Sequence, residues 1–157
     1  MTLRIFIVLI FLPGMLLGCT TIKPQSPRVL NAFDTEFLET DFQVTIKKAE
    51  VDHRIVDLLS NGHQNWIANP GEDCNLGCLI DPKKPGRCLI LAGNAPNMAF
   101  LVSVWGSIAI IQDVFIVKFN DKGDIAYQCS YPFSGNPKTL KELKTIFKNF
   151  PNKGICK

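Results

Sequence analysis

The sequence predicts an α+β domain: a mainly antiparallel sheet of about four to five strands, with one short helix and one C-terminal helix packed on one face. Three observations carry this. Short apolar segments, some of them alternating, recur between turn residues through the second half of the chain. They lie too close together for crossover helices, so neighbouring strands should run antiparallel. A lysine-rich stretch near the end carries its apolar residues at helical spacing. The apolar fraction of 46% suits a folded chain, 157 residues suit a single core, and no repeat or low-complexity segment interrupts them.

The first element is a strand over 42–51, where Phe42, Val44 and Ile46 face one way and Gln43, Thr45 and Lys47 the other. Asp52 is placed to cap a short helix through Leu59. Ile55, Val56, Leu58 and Leu59 form its apolar side, and Asn61-Gly62 stop it. From His63 to Pro85 the chain is irregular, with turns at Asn69-Pro70-Gly71, Asp81-Pro82 and Lys84-Pro85-Gly86. A loop this long needs something to hold it, and Cys74 and Cys78 lie within it. Cys88 to Ala92 reads as a strand. Met98 to Ile111 is the most apolar stretch beyond the N-terminus, and its Val, Ile and aromatic content favours strand broken near Gly106-Ser107. It is too short to span a bilayer, and Gln112-Asp113 interrupt it. Val114 to Phe119 and Asp124 to Tyr131 form a hairpin about the turn Asn120-Asp121-Lys122-Gly123.

The last element is a helix. It starts either at Asn136-Pro137 or one turn later, at the capping box Thr139 to Glu142. Leu140, Leu143, Phe147 and Phe150 share a face with Ile146 beside them, Lys141, Lys144 and Lys148 lie opposite, and Pro151 ends it.

The net charge is only +3, but it is unevenly spread. Nine acids between Asp34 and Asp73 face three basic residues, whereas the stretch from Lys138 to Lys157 holds six lysines and Glu142 alone. This describes two solvated faces of opposite sign, the second able to meet anionic headgroups or an acidic partner. No aromatic residues interleave with the lysines, so a nucleic-acid partner is not expected.

The first eighteen residues read as an export signal: Arg4, an apolar run from Ile5 to Leu12, and Pro13-Gly14 before an ending in a small residue, Gly18. Leu16-Leu17-Gly18-Cys19 resembles the lipobox of bacterial lipoproteins. The resemblance implies cleavage between Gly18 and Cys19 and attachment of fatty acyl chains to Cys19, with Gly18 the small position and Leu16 the apolar one. Leu17 departs slightly, since the class often carries a small residue there. More than one chain makes a stable anchor, because each buried methylene contributes about 0.8 kcal/mol. The resemblance covers only about the first 20 residues. Residue 20 is Thr rather than Asp, which on the same resemblance favours an outer membrane, facing the periplasm, over the inner one. The implied organisation is a signal peptide over 1–18, a lipidated Cys and tether over 19–30, and a single α+β domain over 31–157. The tether's prolines and polar residues from Thr20 to Pro27 favour an extended chain reaching some 20 Å.

With Cys19 given to lipid, five cysteines remain: Cys74, Cys78, Cys88, Cys129 and Cys156. An exported chain meets an oxidising compartment, so disulfides are expected, at most two, with one thiol left over. The favoured arrangement is one bridge within the 74–88 region and one tying Cys156 to Cys129, although spacing does not settle connectivity. Two other chemistries use the same residues. Cys74, Cys78 and Cys88 with a histidine could hold zinc, at a spacing unlike a standard finger. A leftover thiol beside His53 or His63 could act as a nucleophile. No other catalytic signature is present, and no cofactor is called for. Glu72-Asp73 and the acids from Asp52 to Asp57 read as solvated loop and cap residues.

The expected function is that of a membrane-anchored, non-enzymatic envelope lipoprotein binding another envelope protein. The alternatives are a module for a small ligand or cell-wall fragment, with Trp66 and Trp105 beside its pocket, and a thiol-dependent enzyme.

Overall fold

The computed structural model describes residues 29–62, 66–77, 80–106, 109–149 and 154–157. Within them lie three α-helices and one seven-stranded sheet. None of the described helices is long and apolar enough to cross a membrane.

Helix α1, Ala32–Glu39, has no counterpart in the sequence reading. It begins at a capping box: the Asn31 side chain accepts from Asp34 N–H, and the Asp34 carboxylate accepts from Asn31 N–H. Strand β1, Gln43–Thr45, is shorter than expected and gives way to a single 3-10 turn at Lys48–Glu50. The expected inward face is partly overturned. Phe42 packs on the core, but Val44 and Ile46 are 43% and 53% exposed, and Thr45 is buried instead. The strand lies at the sheet edge, and Thr45 is satisfied there by donating to Glu50 Oε2 at 2.6 Å.

Helix α2, His53–Ser60, follows its sequence signals: Asp52 Oδ1 accepts from Arg54 N–H, and Asn61 adopts the left-handed conformation at the C-terminus. Strand β2, Ile67–Ala68, is a two-residue parallel partner of β3, Arg87–Asn94, within the region read as irregular. Beyond β3 the sheet is antiparallel throughout: β4 Met98–Trp105, β5 Ile111–Phe119, β6 Ile125–Pro132 and β7 Ile155–Cys156. The β5–β6 turn is closed by Asn120 Oδ1, which accepts from Lys122 and Asp124 N–H, with Gly123 at φ +84°. Helix α3, Leu140–Lys148, starts at a Thr139 cap rather than at Pro137: the Thr139 hydroxyl accepts from Glu142 N–H, but the Glu142 carboxylate accepts from Lys138 N–H and does not close the expected box. Phe150 and Pro151 lie outside the described residues.

The order across the sheet is β1-β3-β4-β5-β6-β7, with β2 on the same edge of β3 as β1. The sheet is therefore larger than the four to five strands expected, because two short pairings, β2 and β7, escape any periodicity test. There are three described helices, not two, and they occupy both faces rather than one. Alternation decides this. Met98, Phe100, Val102, Val114 and Ile116 turn toward α1 and α3, while Ala99, Leu101, Phe115, Val117 and Phe119 turn toward α2.

The α1/α3 face is aromatic. Phe37 stands 4.8 Å from Phe147, 5.5 Å from Phe42 and 5.7 Å from Phe100, ring centre to ring centre. Gly93 lies directly beneath Phe100, where any Cβ would collide with the ring. The one buried carboxylate on this side, Asp34, accepts from the Tyr131 hydroxyl at 2.7 Å. The α2 face is less aromatic: Ile55, Leu89, Leu101 and Val117 pack there with Trp66, Phe115 and Phe119.

Candidate functional site

Most of the chemistry the sequence suggests rests on its cysteines. The structure joins Cys74 to Cys88 and Cys129 to Cys156. The first bridge ties the long loop to the start of β3. The second crosses adjacent strands, β6 to β7, at directly opposed positions. Gln128 and Lys157 exchange backbone hydrogen bonds beside it, which pins the chain end to the sheet. Sequence separations of 14 and 27 correspond to roughly 3–4 kcal/mol of stabilisation each in the chain-entropy account. Sulfurs bonded to each other are not thiolates, so the zinc set of Cys74, Cys78 and Cys88 loses two of its members. Cys78, Cys19, Gly18 and His63 lie outside the described residues.

His53, the first residue of α2, is exposed, its Nδ1 4.0 Å from Asp52 Oδ1. Glu72 is a loop closure: its carboxylate accepts from Asn69 N–H at 2.8 Å and from Asn69 Nδ2 at 3.0 Å. Those bonds, the side-chain one foremost, hold the Glu72 carboxyl below the usual range. Asp73 pairs with Lys84 at 3.1 Å. Trp66 is buried in the core of the α2 face. Trp105 is half-buried at the end of β4, with the Arg87 guanidinium carbon 4.8 Å from its ring centre.

Arg87 leads to the densest polar cluster in the described residues, which the sequence reading did not find. Asp113 on β5 is 5% exposed. Its Oδ1 accepts from the Ser103 hydroxyl at 3.0 Å and from Arg87 Nη1 at 3.4 Å, and its Oδ2 from the Ser130 hydroxyl at 3.2 Å. Arg87 Nη1 also donates to Ser103 Oγ at 2.8 Å. Strands β3, β4, β5 and β6 each contribute one residue. The available signal was parity: Ser103 and Asp113 fall on the inward side of otherwise apolar strands.

The serines donate directly to a carboxylate, with no imidazole between. The cluster ties β3, β4, β5 and β6 together through an ion pair between Asp113 and the part-buried Arg87, satisfied by two hydroxyls.

The third feature is the outer side of α3. Lys138, Lys141 and Lys148 are exposed. Lys144 is not a free cation. Its ammonium donates to Thr40 carbonyl at 2.7 Å and stands 5.9 Å from the Phe42 ring centre, and burial lowers its pKa. An open groove runs along this side, lined by Leu140, Lys141, Lys144, Thr145 and Lys148. Two further grooves are lined by residues from Asn136 to Ile146 and by Ile46 to Ala49 with Asn69 and Pro70. Neither tryptophan lines any of these three.

No family model matches the chain, and neither a curated protein nor a solved structure matches it.

Proposed function

We propose that this chain is the precursor of a bacterial lipoprotein, cleaved before Cys19 and held by acyl chains on that cysteine, whose folded domain binds another protein of the envelope without catalysing a reaction. Leu16-Leu17-Gly18-Cys19 after a short apolar leader carries the reading. The tether over 19–30 then sets the domain at the membrane, with the periplasmic side of an outer membrane favoured by Thr20. Two disulfides drawn from the five later cysteines suit an oxidising compartment.

Two observations favour binding over catalysis. The buried Asp113 cluster is committed to holding strands together. Large apolar side chains stay exposed at one end of the sheet: Leu76 and Ile80 in the loop before β3, and Ile110 before β5. Such residues suit contact with another protein.

The test is the intact mass of the mature protein from a bacterial host, with and without reduction. The expected species is residues 19–157 plus fatty acyl mass, gaining four hydrogens when the two bridges are reduced. A chain that keeps residues 1–18, or carries no fatty acid, overturns the anchor. Co-purification from solubilised envelopes tests the binding role, which fails if no protein is recovered reproducibly.

A further inference from the structure

We propose that the exposed lysine ridge of α3 rests on anionic headgroups of the membrane that holds the chain, fixing which side of the domain faces the lipid. This rests on the lipoprotein reading above. Three observations support it. The chain leaves the tether through Asn31 directly into α1, and α1 packs beside α3 on the same face of the sheet, Phe37 against Phe147. The described chain therefore begins on the α3 side of the sheet. Lys141 and Lys148 are two helical turns apart, about 10 Å, both exposed, and neither has an ion-pair partner among the described residues.

The acids around the ridge are partly engaged. Glu142 accepts from Lys138 N–H at 2.7 Å at the helix start, Glu36 pairs with Lys118 at 2.6 Å, and Asp41 acts on Lys144. Glu39 remains exposed at the end of α1. The α2 face offers no such ridge. Its Lys47 is paired with Glu50, its Arg54 with Asp52, and Asp57 is exposed.

Amine-reactive labelling of the mature, lipidated protein tests this on vesicles of phosphatidylcholine alone or with about a third phosphatidylglycerol. On the anionic vesicles Lys141 and Lys148 should label about fivefold more slowly, matching about 1 kcal/mol of attraction per lysine near a charged surface. The protection should fade near 1 M salt, where screening falls to about 3 Å. Lys122, in the hairpin turn that leans on Arg54 of the α2 side, should label equally on both. The variant Lys141→Glu/Lys148→Glu should label its Lys138 equally on both vesicles. Equal labelling of Lys141 and Lys148 on both, with the protein floating on both, overturns this orientation and leaves the anchor standing. Protection that appears only when other envelope proteins are present also overturns it, and assigns the ridge to an acidic protein surface. A protein that floats with neither vesicle overturns the anchor and the orientation together.

Discussion

The two faces of the sheet are buried by different means. Against α1 and α3, closure is aromatic: Phe33, Phe37, Phe100, Tyr131 and Phe147 fill the space between two helices and the strands. Against α2 there is one eight-residue helix. It packs on a mixed set, Ile55 with Leu89, Leu101, Val117, Phe115 and Phe119, and further along the strands Arg87, Ser103, Asp113 and Ser130 hold one another. The contrast shows what a strand does when no helix covers it. Either its inward residues stay apolar and exposed, or they become a polar set whose members satisfy one another.

Truncating one residue on each face should separate these modes. Phe147→Ala on the aromatic face should cost about 4 kcal/mol in denaturant unfolding, since it removes a fully buried ring that touches both Phe37 and Tyr131. A cost below about 1 kcal/mol would show that the α3 packing contributes little. Asp113→Ala should cost about 3 kcal/mol, at the low end for a broken buried pair because Arg87 keeps some contact with water. Replacing the pair together, Arg87→Met with Asp113→Leu, should recover most of that loss. If the double variant is as unstable as the single one, the knot has a value that apolar packing cannot supply.

The smallest effect belongs to the start of α2. Asp52 is held below the usual carboxylate range, chiefly by the Arg54 side chain at 2.7 Å, and the same guanidinium lies 3.4 Å from the Phe119 ring centre. A carboxyl depressed on folding adds stability at pH values above its unfolded pKa. That stability is lost as pH falls through the folded value. Arg54→Met should therefore cost about 1 kcal/mol near neutral pH, less at pH 2, and let the Asp52 carboxyl move back up in a carbon-13 titration. An unchanged Asp52 titration would show that the arginine does not set its charge.

Local signals in the chain led to local features. The α2 cap at Asp52, its stop at Asn61, the Thr139 cap and the turn at Asn120–Gly123 each depend on residues within about four positions of one another. Helix α1 was missed although its Asn31–Asp34 box is equally local. Its apolar side is only Phe33 and Phe37 with Leu38, too little for a periodicity to stand out. Strands β2 and β7 are two residues each and exist only through their partners. Of the candidate site, the cysteines were visible as chemistry, and the favoured pairing, one bridge within 74–88 and one from Cys129 to Cys156, is the one the structure has. Asp113 looked like an interruption in an apolar run.

What the sequence determined by itself was the α+β class, the antiparallel second half and the lysine side of α3, all written in residue spacing. Only the tertiary structure decided that the helices divide between two faces, that Tyr131 meets Asp34 across 97 positions, and that Arg87, Ser103, Asp113 and Ser130 converge. The reason is physical. A helix cap is satisfied within its own turn, whereas a buried carboxylate needs donors that only the pairing of distant strands can bring to it.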